Sequence, residues 1–218
     1  MDDWYRENVC NLESSYLASD EPWKQSGFSG PEERWEKCRR PIAEVIKKSG
    51  TLLDIGCANG YLLECVMRWK QEDGINITPY GLDIGEKLVG LAKERLPEFA
   101  ANMFAGNAND WCPPVRFDYV RTELVYVPEY SRRRYIERLR SDFLAADGAL
   151  IICEYRSSKD NHNAPWVDDR VRGYGFDVSD VKSAVDKGKE LTRVVLVIAT
   201  KQDNPQTATL TAPLKREP

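Results

Sequence analysis

Apolar side chains along the chain fall into short runs that alternate with stretches of helical spacing. Residues 51–56 form an apolar run of strand character, and residues 61–70 follow with Leu62, Val66 and Trp69 at helical intervals. The pattern then repeats, with a strand at 79–84, a helix at 86–99 carrying Leu88, Leu91, Ala92 and Leu96 on one face, and a short strand at 103–105. A stronger strand is predicted at 117–122 and a helix at 131–144 with Ile136, Leu139 and Phe143 inward. Residues 148–155 are nearly all apolar, which predicts a fifth strand buried on both faces. Strand and helix units joined by short loops require right-handed parallel crossovers, so the fold class is α/β, an open sheet with helices on both faces. The end of the chain breaks this rhythm. Residues 181–185 and 193–200 are separated only by 186–192, too short for a parallel crossover, so they are expected to form an antiparallel hairpin.

The flanks read differently. Residues 32–40 and 41–49 look like two helical pieces, with Pro41 opening the second. Residues 1–31 hold Trp4, Tyr5, Tyr16, Trp23 and Phe28 in a stretch punctuated by Gly27, Gly30 and Pro31. They form an aromatic arm, either packed on the domain or serving as a lid over a pocket. Three prolines and many polar residues at 202–218 predict a disordered tail. The organisation is therefore an arm at 1–31, one domain at 32–201 and a tail at 202–218.

Composition narrows the class. With 218 residues, 42% of them apolar and 30% charged, the chain suits one soluble globular domain. No apolar run approaches the roughly 20 residues of a membrane helix. The opening residues lack the basic and apolar segments of a secretion signal, which predicts a cytoplasmic protein. Six cysteines without a C-x-x-C pair read as reduced, mostly buried thiols, and with a single histidine the chain lacks ligands for a structural zinc, so no metal is expected. A net charge of −4 argues against a phosphate backbone as partner. The basic stretch Arg132, Arg133, Arg134, Arg138 and Arg140 is the main argument for RNA. Against it, Glu129, Glu137 and Asp142 lie close enough in sequence to make it a solvated, ion-paired helix face.

The candidate chemistry begins where the first strand ends, at Asp54-Ile55-Gly56-Cys57-Ala58-Asn59-Gly60. A turn from strand to helix directs free backbone amides outward, and glycines at 56 and 60 permit it. A dinucleotide fingerprint starting at Gly56 would need glycine at 58 and glycine or alanine at 61, where Ala58 and Tyr61 stand. Asp54 would be awkward beside a pyrophosphate but suits a ligand bearing an ammonium and a sulfonium, so the loop favours S-adenosylmethionine over NAD. Asp83, at the end of the second strand, can accept both hydroxyls of a ribose. Ile84 can cover a flat base, and the polar turn at 106–111 can read an adenine edge.

These residues, with Gly81-Leu82-Asp83-Ile84, Gly106-Asn107-Ala108 and Phe117-Asp118-Tyr119-Val120, resemble the class I S-adenosylmethionine-dependent methyltransferases over about residues 50–200. The resemblance implies a seven-stranded sheet of order 3-2-1-4-5-7-6 with strand 7 antiparallel. It places the methionine end of the cofactor on Asp54, Gly56, Cys57, Ala58, Asn59 and Gly60, the ribose on Asp83, and the adenine between Ile84 and Asn107-Ala108. Thr122, at the end of the fourth strand, joins the cofactor-facing set. Two positions depart from the family pattern. Ala58 replaces a common glycine and needs a turn that tolerates a β-carbon, and Asn107 replaces a common aspartate, its amide oxygen still able to accept from an adenine amino group.

Methyl transfer from a sulfonium relies on alignment and exclusion of water, with a base needed only where the acceptor must lose a proton. Glu123, Tyr126 and His162 follow strands 4 and 5 and are the candidates for the reacting end, in that order. His162 is the simplest base by its intrinsic titration range. The family's Asn-Pro-Pro-Tyr type of motif, associated with amino groups on bases or glutamine, is missing after the fourth strand. The expected activity is methylation of a small molecule on oxygen or nitrogen. The alternatives are an RNA methyltransferase and a cofactor-binding protein without transfer activity. The residues name no particular acceptor and no oligomeric state.

Overall fold

The computed structural model describes residues 12–157 and 159–199. Trp4, Tyr5, Cys10 and the tail at 202–218 lie outside the described residues. Seven strands form one sheet in the order β3-β2-β1-β4-β5-β7-β6. They are β1 (Gly50–Ile55), β2 (Ile77–Asp83), β3 (Met103–Ala105), β4 (Phe117–Glu123), β5 (Leu144–Tyr155), β6 (Asp180–Asp186) and β7 (Lys189–Ile198). Strand β7 pairs antiparallel with both β5 and β6, the hairpin expected from the short connection. The other pairings are parallel, so β1 to β5 all end on one edge, where open α/β sheets bind ligands.

The helices are α1 (Leu12–Tyr16), α2 (Glu32–Val45), α3 (Tyr61–Glu72), α4 (Glu86–Arg95), α5 (Arg132–Arg138) and α6 (Val167–Gly173). Alternation along the strands divides the core between the two faces of the sheet. Leu52 and Ile151 pack with Trp35, Ile42, Val66, Trp69 and Val89 from α2, α3 and α4. Leu53 and Ile152, each one residue along, pack with Ile136, Leu139, Phe143, Val167 and Val171 around α5 and α6. The near-continuous apolar run of β5 is thus explained: its odd and even residues feed different cores.

Local chemistry shifted several boundaries. Residues 32–49 do not make two helical pieces; α2 runs unbroken through Pro41 to Val45. The proline leaves the carbonyl of Lys37 without its helical partner, and Lys37 is exposed, so water can replace the lost bond. Helix α4 stops at Arg95 because Pro97 follows, and a 3-10 segment, Pro97–Asn102, carries the chain to β3. Beyond Arg138, α5 loosens into a π-type turn, Leu139–Phe143, that keeps Leu139 and Phe143 in the core. Helix α6 lies in a stretch for which no element was predicted, its acidic start and arginine-rich end having no long apolar stripe to announce it. Among the described residues no helix is long and apolar enough to cross a membrane. Cys38, Cys57, Cys65 and Cys153 are buried free thiols, and Cys112 is free and exposed.

Candidate active site

The carboxyl edge of the sheet holds a cavity of about 320 Å³, within the range of small-ligand pockets. Its walls come from the ends of β1 (Asp54, Ile55), β2 (Leu82, Asp83) and β4 (Arg121, Glu123), from the loops at 56–59, 84–85 and 106–108, and from Tyr126. The N-terminal segment closes the remaining side with Leu12, Glu13, Tyr16, Ser26, Trp35 and Arg39. Of the cofactor-site residues expected from sequence, Asp54, Gly56, Cys57, Ala58, Asn59, Asp83, Ile84, Asn107 and Ala108 line this one space.

The glycine loop turns by three left-handed residues, Gly56 (φ 77°), Ala58 (φ 47°) and Gly60 (φ 75°). Ala58 accepts a conformation that costs a β-carbon residue about 1–2 kcal/mol, and it is held there: its amide donates to Asp83 Oδ2 at 2.8 Å. Asp83 Oδ1 accepts from the Gly85 amide, also at 2.8 Å. Asp83 therefore ties the β1 and β2 loops together while each oxygen keeps a lone pair for a further donor. Burial raises its pKa above the usual carboxylate value, an effect the two amides only partly oppose. At Gly56 a β-carbon would lie 2.5 Å from the Tyr126 ring and hydroxyl. Gly56→Ala is expected to push Tyr126 away and to cost about 1–2 kcal/mol from the left-handed backbone alone, measurable by urea unfolding. A variant as stable as wild type would mean the loop readily rearranges.

Beneath the loop lies a charged cluster. Arg121, central on β4 and 3% exposed, donates from Nη1 to Asp54 Oδ1 at 3.1 Å and from Nη2 to the Tyr155 hydroxyl at 3.2 Å. Its Nη2 also pairs closely with Glu123, and its Nη1 reaches the Tyr126 hydroxyl at 3.3 Å. The Tyr126 hydroxyl in turn donates to Glu123 at 2.9 Å. One guanidinium thus faces two carboxylates, and Asp54 Oδ2 is buried without a hydrogen-bond partner. Burial pushes the Asp54 pKa up to about 6, against the opposing pull of Arg121. This orphaned oxygen and surplus negative charge fit a cationic ligand group. Burial and Glu123 raise the Tyr126 phenol well above its ordinary value, so at neutral pH it is a hydrogen-bond donor and not a base.

Other expected residues have different duties. Gly60 does not line the cavity; it starts α3 and packs against α4, where a β-carbon would sit 3.1 Å from that of Ala92. Thr122 is fully buried under the floor, its hydroxyl 2.7 Å from that of Tyr135. Asn59 lines the cavity, but its side chain is a clasp: Nδ2 donates to Gln25 Oε1 at 2.7 Å and to the Pro22 carbonyl at 3.1 Å. The Asn107 amide oxygen, expected to accept from adenine, accepts from the Asn109 amide at 3.0 Å and closes its own turn. His162 lies outside the cavity, Nε2 3.0 Å from the Ser157 carbonyl. Its loop is pinned by Arg156, which donates to the carbonyls of Asn161, Ala164 and Pro165. Topology predicts this loop at the ligand edge, but His162 is not among the residues that line the cavity.

Arg121 was missed by sequence reasoning, as were Tyr155 at the end of β5 and Arg39 on α2. The available signal was an arginine inside a strand otherwise suited to burial, since a buried charge requires nearby partners. Three of the five arginines after β4 make structural bonds. Arg132 donates to the Leu124 carbonyl, Arg133 pairs with Glu137, and Arg138 pairs with Asp142 while holding the Ala108 and Trp111 carbonyls.

No known family model matches the chain, and no curated protein matches it in sequence. Solved structures do match its fold. Magnesium protoporphyrin IX methyltransferase from Synechocystis PCC 6803, with S-adenosylmethionine bound, superposes with a TM-score of 0.62 at 17% identity over 92% of this chain and 98% of that one. The 1,6-didemethyltoxoflavin-N1-methyltransferase of Burkholderia thailandensis, with 1,6-didemethyltoxoflavin and S-adenosylhomocysteine bound, gives 0.64 at 16% identity over 91% and 90%. The [4+2]-cyclase SpnF gives 0.60 at 15% identity over 91% and 95%. The chain has the fold of the class I S-adenosylmethionine-dependent methyltransferases. The cyclase among the matches shows that this fold also carries other chemistry, so the reaction must be argued from the site.

Proposed function

We propose that the protein is an S-adenosylmethionine-dependent methyltransferase acting on a small molecule, by in-line transfer to oxygen or nitrogen. The observation that carries this reading is the orphaned Asp54 Oδ2 in a floor whose two carboxylates share one guanidinium. The cofactor, when bound, supplies an electrophilic methyl group on a sulfonium. In this reading Asp54 and the 56–59 loop receive its amino-acid end, Asp83 accepts its ribose hydroxyls, and Ile84 with 107–108 flanks its base. The unused acceptor capacity of Asp83 suits a diol, and Asn107 contributes shape while its amide oxygen serves the turn. Glu123 and Tyr126 face the reacting end as a hydrogen-bonded pair that positions an acceptor, and His162 takes no part. Residues 12–31 act as a lid held by the Asn59 clasp and by Glu13, which accepts from the Lys87 amide at 2.9 Å. Two similar folds whose names record porphyrin and toxoflavin substrates support a small acceptor. The carbonyl and carboxylate bonds of Arg132, Arg133 and Arg138 disfavour RNA.

Calorimetry tests the cofactor: S-adenosylhomocysteine is expected to bind in the micromolar range and to protect residues 12–31 from proteolysis, whereas NAD is not. Comparable NAD binding would overturn the assignment. Transfer of a labelled methyl group into the small-molecule fraction of a cell extract, and not into its RNA, tests the activity.

The pH dependence has a defined sign. Between about pH 4 and 6 the folded protein keeps a proton on Asp54 that the unfolded chain has lost, so this group's contribution to stability falls as pH rises through that window. A cationic ligand group favours the ionised form. Affinity for S-adenosylhomocysteine is therefore expected to rise about tenfold from pH 5 to pH 7, with an inflection that Asp54→Asn abolishes. A flat profile would exclude Asp54 from contact with the ligand's ammonium.

A further inference from the structure

Among the described residues, two arginines line the cavity. Arg121 spends both terminal nitrogens on Asp54, Glu123, Tyr126 and Tyr155, and only its buried Nε lacks a partner. Arg39 is different. It is 8% exposed, and among the described residues its guanidinium has no carboxylate at ion-pair distance and no hydrogen-bond acceptor. It lies over ring faces instead, 3.6 Å from the centre of Tyr155 and 5.6 Å from those of Phe28 and Trp35. Ring faces attract a cation, yet they leave its N–H donors without acceptors, and buried charges are ordinarily hydrogen-bonded. A guanidinium fixed by stacking and facing a cavity is preorganised for a planar oxyanion, because its fork matches the two oxygens of a carboxylate.

Its position separates it from the cofactor region. Arg39 stacks on Tyr155 of β5, and the strand order places β4 between β5 and β1. Two strand spacings amount to about 10 Å, on the side away from Asp83 and Asn107, which follow β2 and β3. Resting on the methyltransferase reading, in which the cofactor spans β1 to β3, we propose that Arg39 binds a carboxylate of the methyl acceptor. The acceptor is then a small carboxylic acid whose apolar body lies against Tyr16 and Trp35. The cofactor's own carboxylate offers the same chemistry from another source, so the test must separate the two.

Calorimetry first compares S-adenosylhomocysteine binding to wild type and Arg39→Gln. The protein saturated with S-adenosylhomocysteine is then titrated with a panel of aromatic and aliphatic monocarboxylates, each beside its neutral primary amide. At least one acid is expected to bind wild type about tenfold more tightly than its amide. Arg39→Gln should erase that preference and leave S-adenosylhomocysteine affinity within about threefold of wild type. The acid and amide comparison on wild type needs no variant, so it decides the matter even if Arg39→Gln folds poorly. A tenfold loss of S-adenosylhomocysteine affinity in the variant would assign the guanidinium to the cofactor and overturn the proposal. So would the lack of acid preference anywhere in the wild-type panel. Failure of wild type to bind S-adenosylhomocysteine would overturn the methyltransferase reading itself, whereas normal binding without acid preference removes only the Arg39 assignment.

Discussion

Arg121→Ala is expected to cost about 3–5 kcal/mol of folding stability at pH 7, enough to threaten a domain of ordinary stability. The loss arises from what remains: Asp54 and Glu123, now without their shared guanidinium, and the Tyr126 and Tyr155 hydroxyls without a donor. Uncompensated buried charge costs more than the pair contributed. Because Asp54 already titrates near 6 through burial, removing the cation raises its pKa further. The variant should therefore recover part of its deficit at pH 5, where Asp54 is protonated. Urea unfolding at pH 7 and pH 5 measures both effects. A loss below about 1 kcal/mol, the level of an exposed ion pair, would show that the cluster relaxes into water and is not a rigid floor.

Asp83→Ala strikes the other half of the site. Two charge-assisted bonds to a ribose would disappear, together about 1.5–3 kcal/mol or more, which is on the order of ten- to a hundredfold in Kd. The same change frees the Ala58 and Gly85 amides, so the left-handed turn at Ala58 loses the bond that holds it. Affinity for S-adenosylhomocysteine and folding stability should fall together. Asp83→Asn retains one carbonyl acceptor but presents an amide nitrogen toward one of the two backbone donors, so it should be intermediate in stability. Calorimetry beside thermal unfolding separates the effects. An unchanged Kd for Asp83→Ala would place the ribose elsewhere in the cavity.

The parts of the site legible in the sequence are those encoded by neighbours along the chain. Gly56, Ala58 and Gly60 announce a strand-to-helix turn because backbone conformation is local, and Asp83 announces itself by ending a strand one βα unit later. The side-chain partners of Asn59 and Asn107 were not legible for the opposite reason. Their amides could serve a ligand or the protein, and the choice depended on Gln25 and Pro22 for one and on the turn geometry at Asn109 for the other. His162 follows β5 as expected, but it does not line the cavity, and three bonds from Arg156 to carbonyls hold its loop.

Hydrophobic periodicity alone settled the α/β class, the alternation of strand and helix, the antiparallel hairpin at β6 and β7, and the double burial of β5. Each follows from which residues must leave water and from connection lengths, quantities that vary slowly and can be read from short windows. Which charges meet was decided only by the tertiary structure. Asp54 and Arg121 are 67 residues apart in sequence, and an arginine in a strand looks the same whether it meets a carboxylate or a solvent shell. Arg39 and Arg40 adjoin on one helix, yet one is stacked inside the cavity wall and the other pairs with Glu36 and Glu72 at the surface. Pairing energies fall steeply with distance and depend on burial, so they are set by three-dimensional neighbours that no local pattern specifies.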